Sequence, residues 1–509
     1  MKHFFTLLLL ALLGCVVVPD VTQAQAVKVQ SFTFRPRRQH RIGTWRNSAT
    51  DTVPVFWGGF SGLRAVPGVP GEFYTVTDRG PNVDAPNGNK FFPFPNFAPT
   101  IIRYRAQGDS LLLLGYLPLK TPNGTNASGR PLPPHFGATG EAACATPACT
   151  GTPYAADVFG LDSEGLELDG QGGYWASEEY GTSVWHVAAD GHLLNRYTPW
   201  GNDPAHVLQD VAVDSVFRHR EPNKGWEGIC RTPNGKIYTF LQAPLAYPSS
   251  AVAAASRVHR ILELDPVTGV TRTFFYFHKA APASGLNNDK IYIGDAAALN
   301  NNELLVLEHG GKGVNTATTI RNRKVLYKID LRTGTPLPAN ATLAAEALDS
   351  TGLAQRGYQG VRKTVVLDLL AAGYDATIGK TEDLAVVNDS TIAVGNDNDF
   401  GVAADAAYAR LVPDPTNFSK LYLFTLPKTH RLTLSTQATT VARWALYPNP
   451  VAAGQLIQLP APVAYEVLDA TGRPVRQATA ATIATTGLAP GLYLVRDQAG
   501  QPVGRFAVE

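Results

Sequence analysis

The sequence repeats one arrangement of short strands five times, and this repetition limits the possible fold more than any other feature. In residues 162–194, a strand with Glu164 and Gly165 leads through a turn to a second strand, which ends at Glu178 and Glu179, and then to a third strand. The same order recurs from four other unequally spaced positions, Ser61, Glu227, Asp295 and Glu382. Repeated short antiparallel strands are typical of a β-propeller. We therefore predict an all-β chain containing a propeller with five visible blades.

Length and composition agree with this class of fold. The 509 residues exceed an ordinary single-core domain and suit a propeller with additions. Only 17% of the residues are charged, whereas Gly (47) and Pro (37) are plentiful, as in a β protein rich in turns. The net charge of +2 says nothing useful about partners, and a nucleic-acid partner is not expected.

The N-terminal residues 1–26 are typical of a signal peptide. Lys2 and His3 precede a short apolar run, and residues 24–26 (AQA) offer small side chains for cleavage. The alternative is a lipoprotein site at Cys15, which follows Leu12–Leu13–Gly14. No other segment of the sequence is apolar enough to cross a membrane.

Residues 27–34 alternate apolar and polar side chains, which predicts a strand. Such a first strand can complete the last blade beside residues 420–426 and close the ring. Two long loops, residues 81–99 and 121–154, interrupt the repeats. The aromatic residues of the first loop either line a substrate mouth or pack the loop onto the blades: Phe91, Phe92, Phe94 and Phe97.

Two of the four cysteines, Cys144 and Cys149, lie close together in the second long loop. In an exported protein this spacing predicts a disulfide that closes a small loop, with two free thiols as the alternative. Cys230 follows Gly228 on a predicted inner strand, where core packing is the expected role.

The character of the chain changes after residue 426. We predict a propeller domain over residues 27–430, a small polar linker over residues 431–443 and a C-terminal domain over residues 444–509. The spacing of strands and turns in the last region predicts a small β-sandwich.

Each second strand of the repeats ends in polar or acidic residues: Asp78-Arg79, Glu178-Glu179, Gln242, Glu308-His309 and Asn396 to Asp399. Equivalent positions of a propeller lie at one end of its channel, so several carboxylates come close together. Such a group is unfavourable unless it is paired, protonated or bound to a cation, and calcium accepts many oxygen ligands in irregular geometry. If residues 396–399 stay extended, Asp397 and Asp399 share one face, and only one of Glu178 and Glu179 reaches the channel.

Three glutamates on the first strands, Glu164, Glu227 and Glu382, form a second ring. They either take part in the site or pair with the basic residues Arg79, Lys224 and Lys380 to hold the blades in register. The candidate metal ligands are therefore those at the second-strand ends: Asp78, Glu178, Glu308, Asp397 and Asp399. Calcium is the expected cofactor.

The basic side chains suggest how an anion would be held. Arg79 can bind a phosphate through two nitrogens, or form a salt bridge to a neighbouring acid. Lys224 and Lys312 are further candidates for substrate binding, the latter in the loop GGKG at residues 310–313. His309, beside Glu308, is either a general acid or base or a packing histidine. The candidate catalytic residues are Arg79, Glu179 and His309.

The C-terminal region resembles the sorting domain of type IX secretion found in Bacteroidetes. The resemblance is carried by Tyr447 to Pro450 (YPNP), by Asp469 with Gly472 and Arg473, and by Pro490 to Tyr493 (PGLY). It implies export across the outer membrane by the secretion machinery, and hence a secreted or cell-surface protein. The alternative is an unrelated carbohydrate-binding or adhesion module.

The body of the chain resembles the phytase-like family, described as having esterase-like activity of phytase. The resemblance covers most of residues 27–427, and the stretches that carry it best are residues 73–82, 162–181, 224–245 and 382–401. It favours six blades rather than five, with the sixth hidden in an insertion. The related alkaline phytases use calcium to hold phosphate, although their calcium-site pattern does not occur in order here.

Familiar catalytic motifs are missing from the sequence. There is no P-loop, no zinc-binding HExxH motif and no complete nucleophile elbow, so a covalent nucleophile is not expected. We expect a secreted, monomeric, calcium-dependent hydrolase acting on phosphoric or other esters at the propeller channel, although whether the chain is an enzyme is left open. The alternatives are a non-catalytic binding propeller with structural calcium and a calcium-dependent propeller of the lactonase type.

Overall fold

A computed structural model describes residues 27–201, 210–278, 291–310, 323–339, 341–434, 446, 448–469, 473–497 and 502–509. The predicted signal peptide and Lys312 lie outside the described residues. Within them the chain is almost entirely β-structure, with two short α-helices, α1 (Ser250–Ala255) and α2 (Ser350–Ala354).

The strands are numbered here in chain order. Those that precede the C-terminal region are β1 (Lys28–Thr33), β2 (Arg41–Arg46), β3 (Thr52–Phe56), β4 (Phe60–Ala65), β5 (Glu72–Thr77), β6 (Val83–Asp84), β7 (Lys90–Phe91), β8 (Thr100–Gln107), β9 (Ser110–Pro118), β10 (Ala143–Cys144), β11 (Ser163–Leu168), β12 (Tyr174–Glu178), β13 (Ser183–Val187), β14 (Leu193–Thr198), β15 (Val211–Ala212), β16 (Trp226–Arg231), β17 (Ile237–Leu241), β18 (Val258–Leu264), β19 (Thr271–Phe277), β20 (Ile291–Ala298), β21 (Glu303–Gly310), β22 (Lys324–Asp330), β23 (Leu337–Pro338), β24 (Arg362–Asp368), β25 (Asp383–Asn388), β26 (Thr391–Gly395), β27 (Val402–Ala404), β28 (Leu411–Pro413) and β29 (Lys420–Thr425). The C-terminal strands are β30 (Leu456–Leu468), β31 (Pro474–Ala484), β32 (Gly491–Asp497) and β33 (Pro502–Val508).

The strands form the blades of a propeller, and each blade has four antiparallel strands. The first blade is β4-β5-β8-β9, the second β11-β12-β13-β14, the third β16-β17-β18-β19, the fourth β20-β21-β22-β24 and the fifth β25-β26-β29-β1. The short strands β15 and β23 extend the second and third blades. The all-β propeller predicted from the repeats is confirmed.

The inner strands close the ring with five blades. Strand β4 contacts β11 and β25, β16 contacts β11 and β20, and β20 contacts β25. Each inner strand therefore has a neighbour on both sides, and a sixth blade has no place between them. This corrects the expectation of six blades, which rested on a resemblance and on insertions that add loops instead.

The N-terminal strand completes the fifth blade, as its alternating pattern predicts. Strand β1 pairs with β29 along its whole length, from Lys28 opposite Thr425 to Thr33 opposite Lys420. Phe32 is buried in the core of this blade. Ring closure in this way leaves β29 without a free edge.

The hydrophobic core lies between neighbouring blades. Trp175 of the second blade belongs to the same buried cluster as Ile229 of the third, and Phe240 of the third to the same cluster as Ile293 of the fourth. Both faces of the inner and second strands are covered, so β16 and β17 are buried along almost their whole length rather than at alternate residues. The rigid frame positions the polar residues at the strand ends.

The first long loop packs onto the blades. Phe91 and Phe92 are buried, and the ring of Phe91 lies 4.9 Å from that of Trp45. Phe97 contacts Phe400 edge to face, with ring centroids 5.4 Å apart. Of the two roles considered for these aromatic residues, packing is the one that the structure shows.

The described residues of the C-terminal region form an antiparallel sheet in the order β31-β30-β32-β33. The long strand β30 changes register against β31 between Gln458 and Val463. Buried side chains such as Ile457, Val467 and Phe506 form its own core. The β-structure expected of the predicted C-terminal β-sandwich is confirmed, and the described strands form one four-stranded sheet.

Candidate functional site

The inner strands begin, and the second strands end, at the same end of the channel, because the strands are antiparallel. The pairing of β11 with β12 shifts between Ser163 and Gly165, and that of β16 with β17 between Trp226 and Ile229. These irregularities contain Glu164 and Glu227. A bulge of this kind redirects a side chain, which here turns an acid on an otherwise apolar strand towards its neighbours.

Glycines let the inner strands approach closely enough to bring these acids together. A Cβ atom on Gly165 would lie 2.6 Å from the carbonyl oxygen of Glu227, and one on Gly228 would lie 2.6 Å from Cα of Asp295. Only a residue without a side chain fits at such distances.

The result is a buried group of five carboxylates, named here the acidic cluster: Asp162, Glu164, Glu179, Glu227 and Glu382. One oxygen atom from each of Asp162, Glu164 and Glu179 lies within 4.8 Å of the other two, and the same holds for Glu164, Glu227 and Glu382. Glu164 belongs to both groups. The first-strand ring is therefore part of the candidate site rather than only a structural feature.

Two basic side chains border the acidic cluster, but each of them also pairs with acids outside the cluster. Arg79 Nη2 lies 2.6 Å from Asp162 Oδ2 and 3.7 Å from Glu179 Oε2, while Nη1 binds Glu141. Lys380 binds Asp397 closely and lies 3.0 Å from Asp399 Oδ1. Most of the negative charge of the acidic cluster is therefore not balanced by these two side chains.

Buried carboxylate oxygens of the cluster without a hydrogen bond from any described residue include Glu179 Oε1, Glu227 Oε1 and Asp162 Oδ2, the last of which lies 2.6 Å from Arg79 Nη2. The other oxygen of Glu227 accepts from Gln242 Nε2 at 3.1 Å. Buried acceptors without donors are rare and costly, so each needs an explanation.

Burial and mutual repulsion both raise the pKa values of acids in the cluster. Burial raises the pKa of Glu164 well above its usual value, and the neighbouring carboxylates of Asp162 and Glu227 raise it further. The pKa values of Glu179 and Glu227 are raised by burial first, and then by nearby acids. A cation between them would relieve both effects.

The donor set fits a hard divalent cation. The cluster offers only carboxylate oxygens, and calcium takes six to eight oxygen ligands at about 2.3–2.6 Å. Ligands on opposite sides of such an ion would be about 5 Å apart, close to the 4.8 Å limit within which each group lies. The acidic cluster could hold such an ion.

The candidate metal ligands predicted at the second-strand ends lie elsewhere, some close to the cluster and some apart from it. Asp78 is buried and accepts from the Gly80 N–H at 2.8 Å. Its pKa is raised, by burial first and then by Asp397 and Asp162. Asp397 and Asp399 converge on Lys380, although Asp399 has a φ of +47° and the segment is not extended as assumed.

Glu178 and Glu308 are held by structural contacts. Glu178 accepts from the backbone N–H groups of Tyr180 at 2.6 Å and Gly181 at 2.8 Å, at a tight turn. Burial raises its pKa to about 7. Glu308 binds Arg323, Lys363 Nζ at 2.6 Å and the Tyr276 hydroxyl at 2.7 Å. Of the two neighbouring glutamates, Glu179 is the one that reaches the channel.

The predicted anion-binding residues are engaged by protein groups. Arg79 is 7% exposed, and its guanidinium also lies over the Tyr180 ring at 5.0 Å. This geometry matches the salt-bridge alternative rather than a guanidinium free to meet a substrate. Lys224 Nζ lies 5.9 Å from the centre of the Tyr292 ring.

His309 is a neutral, buried imidazole. Its Nδ1 lies 2.9 Å from the carbonyl oxygen of Gly310, which can only accept, so Nδ1 carries the proton. Its Nε2 has no hydrogen-bond partner among the described residues. Burial, together with Lys324 and Lys380, lowers its pKa to about 3. The ring therefore carries its single proton on Nδ1 and can accept a hydrogen bond at Nε2.

The structure pairs Cys144 with Cys149 in a disulfide and buries Cys230 in the core. Sequence analysis missed Asp162, which precedes its strand and has no counterpart in the other repeats. It also missed Arg64, an isolated arginine on an inner strand.

Two family models match the chain, one over most of the propeller and one over the C-terminal region. Residues 55–400 match the phytase-like family model, described as esterase-like activity of phytase. Residues 445–504 match the secretion system C-terminal sorting domain, the domain of type IX secretion, so the protein is secreted or at the cell surface. No helix among the described residues is long and apolar enough to span a membrane.

Individual relatives are distant. An uncharacterized secreted protein of Arthroderma benhamiae is 28% identical over 130 residues, which are 22% of this chain and 25% of that protein. PorZ, a surface component of the type IX secretion system of Porphyromonas gingivalis, is 14% identical, with 91% of this chain and 62% of that chain covered and a TM-score of 0.30. The chain thus spans less than two thirds of the length of either protein. An arabinoxylan arabinofuranohydrolase of Bacillus subtilis is 11% identical, with coverages of 88% and 95% and a TM-score of 0.34.

Proposed function

The chain belongs to the phytase-like family, and we propose that it is a secreted hydrolase of phosphoric or other esters that uses calcium at the acidic end of the propeller channel. The observation that carries the proposal is the acidic cluster, in which Glu179 and Glu227 each keep one buried oxygen without a hydrogen bond. A site that only joined the blades would pair such oxygens with donors.

The cluster residues would hold the cation, and Asp78 lies close enough to Asp162 for the two charges to interact. When bound, a divalent cation supplies Lewis-acid polarisation of the phosphoryl or carbonyl oxygen of an ester. The neighbouring acids shared with Lys380, namely Asp397 and Asp399, would act on the charge of the site rather than as ligands.

Glu179 is the proposed general base. Its Oε1 would face the cation, so the proton acceptor is Oε2, which lies 3.7 Å from Arg79 Nη2. A water molecule beside Oε2 would lose its proton to this atom while attacking the ester, and the proton would then pass to the oxygen of the departing alcohol as the ester bond breaks. His309 would accept a hydrogen bond at Nε2 and would not donate a proton.

Arg79 is proposed to orient the cluster and to bind an anion only by exchange. Its Nη2 holds Asp162, whereas its Nη1 holds Glu141 of the second long loop. A substrate phosphoryl group would have to replace Glu141 on Nη1 to be bound. Glu141→Gln removes the charge that competes with such an anion, and should lower the KM for a phosphate ester while leaving that for a neutral ester unchanged.

The test is turnover by the full-length chain of phytate, p-nitrophenyl phosphate, p-nitrophenyl acetate and a γ-lactone, in calcium and in chelator. Calcium-dependent turnover of at least one substrate, with a loss of 100-fold or more in Glu179→Gln, is the expected result for a general base. Glu303→Gln is the matched control, because Glu303 begins strand β21 and forms a salt bridge to Lys328. Equal turnover in calcium and chelator would contradict the proposal.

A second candidate function is a non-catalytic binding propeller with structural calcium. The observation that favours it is the burial of the cluster, since the five carboxylate residues are between 0% and 6% exposed. It predicts that calcium raises the melting temperature while none of the substrates is hydrolysed.

For export, we propose that residues 1–26 form a cleaved signal peptide and that the propeller domain (27–430) and the sorting domain (444–509) are joined by a linker at residues 431–443. The sorting domain would be the part that meets the type IX machinery, and the propeller would act as a monomer on a small substrate. Deletion of residues 444–509 should leave the protein in the periplasm, as measured by fractionation of the native host.

A further inference from the structure

The acidic cluster consists of two overlapping groups of ligands rather than one. We propose that the channel end binds two calcium ions bridged by Glu164, one held with Asp162 and Glu179 and the other with Glu227 and Glu382. The inference rests on the proposed function for the identity of the cation, and adds the number of ions and the ligands of each.

The two groups differ in how the chain assembles them. Asp162 and Glu164 lie at the start of β11, and Glu179 follows the paired strand β12, so the first group belongs to one hairpin of the second blade. The second group joins Glu164 to Glu227 of the third blade and Glu382 of the fifth. Only Glu164 is common to both, through a carboxylate that offers two oxygens.

Each group has the dimensions of one coordination sphere. The oxygen atoms of its three members lie within 4.8 Å of one another, and opposite ligands of a calcium ion are about 5 Å apart. Ions that share a bridging carboxylate lie about 3.5–4 Å apart in two-metal sites. A single ion at the centre of all five residues would have to bind oxygens that lie farther apart than one coordination sphere allows.

An independent observation points to a ligand in each group. Glu179 Oε1 belongs to the first group and Glu227 Oε1 to the second, and neither buried oxygen has a hydrogen-bond partner among the described residues. Both residues are at least 97% buried. A single ion in one group would leave the acceptor of the other group unexplained.

The charge of the cluster also favours more than one divalent ion. Arg79 pairs with Asp162 of the cluster as well as with Glu141, whereas Lys380 pairs with Asp397 and Asp399, so these two side chains leave most of the five carboxylates without a cation. If all five are ionised, they carry five negative charges, of which Arg79 balances one and a pair of divalent ions the remaining four.

The experiment is calcium binding to the full-length protein after removal of bound metal, with stoichiometry from calorimetry and from native mass spectrometry. We expect two ions for the wild type and one each for Glu179→Gln and Glu227→Gln. Glu164→Gln should lose both, or bind them at least tenfold more weakly. Glu303→Gln, which removes a carboxylate at the start of strand β21 that pairs with Lys328, should keep two.

The substitutions keep the shape of the side chain and remove repulsion, so folded variants are expected, and circular dichroism checks this. If a Gln variant does not fold, Glu179→Asp and Glu227→Asp replace it, because a shortened acid weakens only the ion of its own group. The mass spectrum counts ions in each variant directly.

A single ion in the wild type, or loss of both ions in Glu179→Gln and Glu227→Gln alike, would overturn the two-ion inference. With one ion and calcium-dependent turnover, the proposed function would stand without it. A folded wild type that binds no calcium would overturn both, and two ions unaffected by all three substitutions would place them outside the acidic cluster.

Discussion

Arg64 donates a hydrogen bond from Nη1 to Asp295 Oδ2 at 3.1 Å, and so joins the inner strand of the first blade to that of the fourth. The same guanidinium donates to Glu167 Oε2 at 2.8 Å, to the carbonyl oxygen of Leu384 at 2.9 Å and to that of Ile229. One buried side chain on β4 therefore contacts the inner strands of the other four blades.

Arg64→Met should destabilise the protein strongly. The substitution keeps much of the apolar stem but leaves Asp295 and Glu167 buried without their cation. Breaking a buried pair in this way typically costs about 3–5 kcal/mol. Urea unfolding measures the loss of stability. The stability of Arg64→Lys should lie between those of the wild type and Arg64→Met, because lysine keeps the charge but not the planar donors. Arg332→Met, which breaks an exposed pair with Asp330, is the control. Equal stability of Arg64→Met and the control would contradict the role of Arg64.

Phe32→Ala should weaken ring closure. Phe32 lies on the closing strand β1 opposite Leu421 and is buried in a cluster with Phe60 and Tyr104. Its truncation should cost about 3–5 kcal/mol, as for other buried aromatic residues. The exposed Gln30 on the same strand provides the control, Gln30→Ala. Thermal unfolding that leaves the two variants alike would show that β1 does not hold the ring closed.

The protein should lose stability on acidification through His259. Its Nδ1 lies 3.1 Å from the Leu241 carbonyl oxygen, and its Nε2 lies 2.9 Å from Nδ1 of His278. Because the Leu241 carbonyl accepts a hydrogen bond from the Nδ1–H group, neutral His259 must accept a hydrogen bond at Nε2. Burial lowers its pKa from 6.5 to about 4.

The direction of the pH dependence of stability follows from proton uptake by the unfolded chain. Between pH 6.5 and 4 the unfolded chain binds a proton at His259 that the folded chain does not, so the stability present above pH 6.5 is lost as the pH falls. The loss is about 3 kcal/mol. Urea unfolding at pH 7 and pH 4, in chelator, should show a smaller loss in His259→Asn than in the wild type. His135→Asn, at an exposed position, serves as the control, and an equal loss in both variants would contradict the assignment.

The effect of Glu164→Gln on stability should change sign when calcium is added. In chelator the substitution removes a buried charge surrounded by other acids, so the variant should be at least as stable as the wild type. At calcium concentrations about 100 times the Kd, the wild type should gain about 2.7 kcal/mol for each bound ion and become the more stable of the two. Melting temperatures in both conditions test this, and a variant less stable than the wild type in chelator would contradict it.

The sequence predicts the propeller well because its signal is local and repeated. Five copies of a strand order and the alternation in residues 27–34 are enough to define the blades and the closing strand β1. Glu164, Glu227 and Glu382 can likewise be placed at one end of the channel, because strand direction alone decides this.

Which residues at that end of the channel can bind a metal ion depends on details that the repeated strand pattern does not contain. Glu178 and Glu179 are adjacent, and the turn after β12 uses Glu178 as an acceptor for the N–H groups of Tyr180 and Gly181. Glu308 is paired with Lys363, which is distant in the sequence and adjacent only across the fourth blade. Arg64 shows no partner in its own repeat, because its contacts come from the other blades. Backbone bulges and contacts between blades therefore decide what strand periodicity leaves open.

The most direct test of the proposed metal site is a crystal structure of the full-length protein, from crystals grown in calcium, with anomalous data. We expect anomalous density beside the carboxylate of Glu164, surrounded by side chains of the acidic cluster and absent from Glu164→Gln crystals. Density only at other sites, with Glu179 and Glu227 hydrogen-bonded to water alone, would contradict it.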